Sequence, residues 1–174
     1  MKQLIIGILL ATGITSGYSV KAQEITEVKK SGDQPEYKMA VGIRLSSAPA
    51  MINNSVSFKY FMTQRTAVEA LVSFGDPFAL GALVEFYNPL STSGLQWFYG
   101  GGAYLGFSKE YNPDKQIEER KTYFGGQGIV GLDYKFQNIP LNLSLDWKPE
   151  LNLVQDINFE PAALGFTARF TFGH

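Results

Sequence analysis

The residues that could do chemistry in this chain of 174 residues are few and widely spaced. Glu69 and Glu85 could form a pair of carboxylates of the kind used in acid–base catalysis, but the sequence does not fix the distance between them. The one histidine, His174, is the last residue, and the chain has no cysteine. A nucleophile with a histidine base, a thiolate metal site and a disulfide framework are therefore not expected. We predict no catalytic site, metal or cofactor.

Charged side chains recur instead at alternate positions, between apolar neighbours. Ten of them share the polar face of predicted strands: Lys38, Arg44, Lys59, Glu69, Glu85, Asp133, Lys135, Asp146, Lys148 and Arg169. Because an unpaired buried charge is costly, we expect these six basic and four acidic residues to form a structural network of ion pairs that plugs a narrow barrel. A constricted channel, in which the same charges set selectivity, is the alternative.

The elements that must position these charges are strands, because apolar and polar residues alternate with period two. In the cleanest segment, Leu141 to Lys148, every second residue is Leu or Trp, and Asn, Ser, Asp and Lys lie between them. Eight segments follow this pattern: 38–45, 55–62, 68–74, 80–86, 95–108, 124–136, 141–148 and 164–172. Only Phe61 breaks it in the second segment, and no stretch between Tyr37 and Phe172 has the pattern of a helix. The prediction is an all-β fold.

The connections between these segments differ in length at the two ends. Residues 63–65 and 137–140 form short turns and 88–94 an intermediate one, whereas 46–54, 109–121 and 149–161 are long; 75–78 is a short link on the long side. Short turns on one rim and mostly long loops on the other are typical of outer-membrane barrels with both termini in the periplasm. We therefore predict an eight-stranded antiparallel up-and-down transmembrane β-barrel.

Alternation alone does not say which face points outward, since a lipocalin-like barrel would turn its apolar face into a ligand cavity. The apolar faces carry about three times as many side chains as the dozen or so that a small barrel can hold. The polar faces are rich in glycine and serine, which suits a crowded interior. Aromatic residues lie near the strand ends, where interfacial girdles form. The apolar face is therefore predicted to point towards lipid.

The beginning of the chain predicts its destination. Lys2 and the apolar run from Leu4 to Ala11 resemble the n-region and core of a signal peptide, and Val20-Lys21-Ala22 fits cleavage after Ala22. The apolar run is too short to span a membrane as a helix. We predict a signal peptide over 1–22, a flexible tail over 23–36, a barrel over 37–174, and delivery to the outer membrane.

The overall charge argues against one class of partner. Fifteen Lys and Arg residues are balanced by 16 Asp and Glu residues, for a formal net charge of -1. Nucleic-acid binding needs a basic patch or stripe, so we do not expect it here.

Two segments near the end of the chain carry a family resemblance. Gly131-Leu132-Asp133-Tyr134-Lys135-Phe136 with Pro140 to Pro149, and the closing Gly165 to Phe172, resemble small porin-like outer-membrane β-barrel proteins of Bacteroidota. The resemblance implies the barrel fold and the outer-membrane location, but no agreed activity. It also implies that Phe166, Phe170 and Phe172 of the last strand form the signal read by the barrel-assembly machinery, although Gly173 and His174 follow the aromatic residue on which that pattern usually ends.

The long connections are the expected places for contacts with partners. Residues 109–121 hold four basic and four acidic side chains, which indicates a solvated hairpin tip or a surface for lipopolysaccharide phosphates or a protein partner. Residues 149–161 are apolar enough to form a lid or an interaction surface. The leading hypothesis is a non-catalytic barrel among outer-membrane lipids and lipopolysaccharide, with a structural or loop-mediated binding role. A narrow channel for small solutes and a lipid-modifying enzyme are the alternatives.

Overall fold

The computed structural model describes residues 37–47, 50–112, 117–154, 157–161 and 163–173. The predicted signal peptide, the predicted tail and His174 lie outside these residues. Ten strands occur in the described part of the chain: β1 (Met39–Ser46), β2 (Ser55–Phe61), β3 (Thr66–Ser73), β4 (Phe78–Pro89), β5 (Leu95–Asn112), β6 (Ile117–Lys135), β7 (Leu141–Trp147), β8 (Glu150–Asn152), β9 (Asn158–Glu160) and β10 (Leu164–Phe172).

These strands form one closed antiparallel sheet. Each of β1 to β6 pairs with the next strand along the chain, and β10 pairs with both β7 and β1, which closes the barrel. Met39 opposes Phe172 in the closing ladder, and Ser46 opposes Gly165. Closure gives each of β1 to β7 and β10 a paired strand on both sides.

The barrel has eight strands in effect, because β7 with β8 and β9 with β10 are two strands that are each interrupted once. Along β6, Val130 opposes Trp147 and Gln127 opposes Glu150, so β8 continues β7 without a change of register. On the other side the register shifts by one residue, because Trp147 opposes Leu164 whereas Glu150 opposes Glu160. A one-residue shift between two antiparallel strands is characteristic of a β-bulge. The predicted eight-stranded antiparallel barrel is confirmed.

Two predicted connections are shorter than the sequence pattern indicated. β5 runs to Asn112 and β6 begins at Ile117, so strand pairing extends through most of 109–121. The segment 149–161 contains β8 and β9. The period-two signal ends earlier than the strands because the extended hairpin between β5 and β6 carries charged residues on both faces.

Bulky side chains alternate between the outside and the inside of the barrel. Ile43, Leu145 and Phe170 are exposed on the outside at 61%, 58% and 57%, whereas their chain neighbours Arg44, Asp146 and Arg169 are buried inside at 1%, 3% and 2%. Phe61, which broke the predicted pattern, points inward and is buried. The interior also holds apolar side chains from the polar faces: Leu71, Leu83, Phe98 and Tyr104.

Candidate functional site: the filled barrel interior

Arg169 of β10 is the centre of the buried charge network. Its Nη2 lies 2.5 Å from Glu69 Oε1 on β3, and its Nη1 lies 3.8 Å from Asp133 Oδ1 on β6. The guanidinium also donates to side chains of β2 and β7. These acceptors are Ser57 Oγ at 2.7 Å, Ser144 Oγ at 2.8 Å and Asn142 Oδ1 at 3.3 Å. One arginine therefore connects strands from both halves of the barrel wall across its interior.

Lys59 of β2 forms a second layer nearer the short-turn end. Its Nζ lies 2.8 Å from Glu85 Oε2 and 3.6 Å from Glu69 Oε2, so Glu69 is shared between Lys59 and Arg169. Lys59 also donates to the hydroxyl of Tyr87 at 2.5 Å, and that hydroxyl donates to Glu85 at 2.8 Å. The Lys59 ammonium lies 5.0 Å from the ring centre of Phe98, within the range of a cation–π contact.

An aromatic cluster of Tyr37, Phe61, Tyr87 and Phe98 fills the interior at the short-turn end. Ring centres are 5.2 Å apart for Tyr37 and Phe61, 4.9 Å for Phe61 and Tyr87, and 5.2 Å for Tyr87 and Phe98. Burial raises the pKa of Tyr37, which precedes β1, and the nearby Asp133 carboxylate raises it further. The phenol therefore stays neutral and adds no charge to this apolar layer.

Two further ion pairs lie towards the long-loop end. Arg44 Nη2 contacts Asp146 Oδ1 at 2.6 Å, and both side chains are buried. A Cβ added at Gly165 would lie 2.1 Å from the same Arg44 Nη2, so the missing side chain of glycine leaves the space that the guanidinium occupies. Lys148 contacts Glu150 one layer further out, and it also donates to Gln127 Oε1 at 3.3 Å.

The described part of the connection between β1 and β2 lies inside the long-loop end of the barrel. Residues 50–54 of this connection, the plug segment, include Ala50 and Ile52, which are 3% and 0% exposed. Glu150 accepts hydrogen bonds from the backbone N–H groups of Met51 at 2.8 Å and Ile52 at 3.3 Å. A Cβ added at Gly81 would lie 3.2 Å from Ile52 Cδ1. The plug segment is thus held inside the mouth of the barrel.

Eight of the ten charges singled out in the sequence lie buried in this interior: Arg44, Lys59, Glu69, Glu85, Asp133, Asp146, Lys148 and Arg169. Two do not join them. Lys38 is exposed, with its Nζ 5.7 Å from the ring centre of Tyr60. Lys135 is half-buried at a short turn, where it donates to the carbonyl oxygens of Phe136 and Ile139. Both lie at the short-turn rim, where a strand end allows the side chain to reach water.

Sequence reasoning missed Glu150 and the plug segment. The signal for Glu150 was present, because Asp146, Lys148 and Glu150 follow each other at every second position and so share one face. The plug segment has no such periodicity. Only the position of Ile52 in the folded barrel shows that it fills the interior.

The arrangement pairs the buried carboxylates with cations. Glu69 and Glu85 are brought together, as acid–base chemistry would need, but Lys59 bridges them and Arg169 binds Glu69. Among the described residues, no group of three or more His, Asp or Glu side chains is placed to hold a metal ion. The described part of the chain contains no helix with the length and apolar character needed to cross a membrane.

The fold and the interior together define a class: closed eight-stranded antiparallel barrels with an apolar exterior and a filled, charged interior. The chain is similar to the N-terminal β-barrel domain of OprF from Pseudomonas aeruginosa, with a TM-score of 0.56 and 14% sequence identity over 81% of this chain and 99% of that one. No protein-family model matches the chain, and no curated protein does. At this identity the likeness shows the fold.

Proposed function

We propose that the protein is an integral outer-membrane β-barrel with no catalytic role, which acts structurally or through its loops. The observation that carries this proposal is the inverted distribution of side chains. At each of the pairs Ile43 and Arg44, Leu145 and Asp146, and Phe170 and Arg169, the apolar member is exposed and the ionised member is buried. Exposing apolar side chains to water is unfavourable, whereas exposing them to the hydrocarbon core of a membrane is favourable.

Two groups of exposed aromatic residues support the membrane location. Phe78 and Phe107 lie at the long-loop end with ring centres 6.3 Å apart, together with Phe74, Phe124 and Trp147. Phe86 and Tyr99 lie at the short-turn end with ring centres 5.6 Å apart, together with Trp97 and Phe172. Aromatic girdles at both interfaces are typical of transmembrane barrels.

The filled interior favours a structural or binding role over a narrow channel. Arg169, Lys59 and their partners cross the barrel at mid-height, the aromatic cluster lies below them, and the plug segment lies above. A solute would have to displace charges that are paired and desolvated, which is costly. A lipid-modifying enzyme would need a nucleophile and a base that lipid can reach. Ser57 Oγ lies 2.5 Å from Glu69 Oε1, but both side chains are buried and Arg169 binds the same carboxylate oxygen, so among the described residues this contact does not support that alternative.

The finer parts of the proposal concern biogenesis. We propose that residues 1–22 are a signal peptide cleaved after Ala22, that 23–36 form a tail, and that the barrel belongs to the Bacteroidota type in a Gram-negative outer membrane. Phe166, Phe170 and Phe172 alternate on the outer face of β10, which supports their role as a signal to the barrel-assembly machinery. Amino-terminal sequencing of the mature protein and assembly of a Phe172→Ser variant in cells test these two points.

Refolding into phospholipid vesicles tests the membrane proposal. We expect the protein to bind vesicles and to migrate differently on gels before and after boiling, as folded barrels do. Soluble protein with no heat-dependent mobility would contradict the proposal. In planar bilayers we expect no stepwise conductance, and steady steps would favour the channel. Changed lipid A or phospholipid profiles on deletion of the gene would favour the enzyme.

A further inference from the structure

The β8–β9 hairpin carries an apolar surface that the barrel wall does not need for its own packing. Its exposed residues are Leu151, Leu153, Val154, Ile157 and Phe159, at 40%, 49%, 44%, 82% and 56%. We propose that this hairpin lies against the acyl chains of the outer leaflet and extends the lipid-facing surface of the barrel, instead of projecting into water. This inference rests on the proposed membrane location.

The sheet register shows which way the hairpin faces. Leu151 opposes Gly126 of β6 on one side and Phe159 of β9 on the other, so these residues share the outer face of the sheet. Glu150 opposes Gln127 and Glu160 on the inner face. The hairpin therefore repeats the alternation of the barrel, with apolar side chains outside and polar ones inside.

The interrupted strand formed by β7 and β8 has the length of a transmembrane strand. β7 alone has seven residues, fewer than the roughly 9–11 that a tilted transmembrane strand needs. The seven residues of β7, the three of β8 and the two between them make twelve, from Leu141 to Asn152. Leu151 thus lies near the outer end of a strand of spanning length, and not on a loop far from the wall.

Charge separates this hairpin from the other long one. Between Pro149 and Pro161 the sequence has three acidic residues, Glu150, Asp156 and Glu160, and no basic one. Glu150 is buried, Glu160 is half-buried, and Asp156 lies outside the described residues. The hairpin of β5 and β6 exposes Lys109 and Glu118 instead, with 58% and 66% of their side chains accessible and a separation of 3.9 Å. The charged β5–β6 hairpin suits water, whereas the apolar face of the β8–β9 hairpin suits hydrocarbon.

Continuity with the barrel exterior favours lipid over a protein partner as the occupant. The backbone N–H of Leu153 donates to the carbonyl oxygen of Phe124 at 2.9 Å, and the Phe124 ring is exposed in the long-loop aromatic group. The apolar surface of the hairpin therefore joins the surface that the proposed function already assigns to lipid. Acyl chains can cover both without a second protein.

Site-specific labels test the inference directly, because the chain has no cysteine. Ile157→Cys, with Phe159→Cys as a second site, would be labelled with an environment-sensitive fluorophore and refolded into phosphatidylcholine vesicles. Two matched controls are Val84→Cys on the outer face of β4 and Glu118→Cys on the charged hairpin. Quenching by iodide in the water would be compared with quenching by nitroxide-labelled acyl chains.

We expect the Ile157 and Phe159 labels to follow the Val84 label, with strong quenching by the acyl-chain nitroxide and a loss of iodide quenching relative to Glu118. Iodide quenching equal to that of Glu118, with Val84 still quenched from lipid, would overturn this inference and leave the membrane proposal intact. Protection from both quenchers would also overturn it, because it would mean that a protein surface covers the hairpin. Iodide quenching at Val84 would overturn the membrane proposal itself.

Discussion

Replacing Arg169 with methionine removes a residue that contacts side chains of four other strands inside the barrel. The guanidinium contacts Glu69 at 2.5 Å and donates to Ser57 and Ser144, and all four side chains are buried. Methionine fills much of the same volume but supplies no charge. Glu69 would keep only Lys59, at 3.6 Å, as a cationic partner.

The size of the effect follows from the charge left behind. The mid-height network has two cations, Lys59 and Arg169, against three carboxylates, Glu69, Glu85 and Asp133. Loss of one cation leaves an additional buried carboxylate uncompensated, which costs about 3–5 kcal/mol of unfolding free energy. Removing Glu69 at the same time, as R169M/E69Q, restores the original balance and should recover a large part of that loss.

Guanidinium unfolding of vesicle-bound protein, followed by tryptophan fluorescence, measures these free energies. Exposed Lys38 provides the control, since K38M should leave stability nearly unchanged. The cycle of R169M, E69Q and the double variant should give a coupling energy of about 1–3 kcal/mol. An R169M protein as stable as the unmodified one, or a double variant no more stable than the less stable single variant, would show that Arg169 does not compensate the Glu69 charge.

Three further perturbations have definite outcomes. Gly165→Ala places a methyl group against the Arg44 guanidinium and should lower the unfolding free energy by about 1–3 kcal/mol. A variant as stable as the unmodified protein would show that the contact between Gly165 and Arg44 does not affect stability. Glu150→Gln weakens the hydrogen bonds that hold the plug segment. When protease is added to vesicle-bound protein from the long-loop side, cleavage within 47–54 should increase. An unchanged cleavage rate would mean that other contacts hold the plug segment. Val84→Arg should lower the unfolding free energy of the vesicle-bound barrel by about 2–4 kcal/mol. Glu118→Arg is the exposed control. If the two substitutions have equal effects, Val84 does not face lipid.

The strand count and the two faces could be predicted from sequence because both depend on local alternation. Ile43 and Arg44 lie in different environments because successive side chains of a strand point to opposite faces of the sheet. The order of apolar and polar residues in the sequence therefore shows which face each one occupies. Comparing the number of apolar side chains with the capacity of a small barrel then predicted the outward face. The pairing of charges could not be predicted, because Arg169 and Glu69 are 100 residues apart and meet only after the barrel closes.

The parts that the sequence missed depend on contacts across the barrel. Phe61 looks like an error of alternation, yet it joins Tyr87 in the aromatic cluster on the inside. The plug segment shows no regular alternation of apolar and polar residues. It is held inside the barrel by contacts such as the hydrogen bond from the Met51 N–H to the Glu150 carboxylate. The sequence pattern predicts a long connection over 149–161, because β8 and β9 have only three residues each and are too short to show alternation.

In the proposed membrane arrangement, the apolar face of this barrel contacts lipid and its charges lie inside. Nuclear Overhauser contacts between lipid acyl chains and side chains of the protein in nanodiscs test it most directly. We predict acyl-chain contacts at Ile43, Leu145 and Phe170, and none at Arg44, Asp146 and Arg169. Acyl-chain contacts at the charged residues, or contacts with water at the three apolar ones, would contradict the proposal that the apolar face of the barrel contacts lipid.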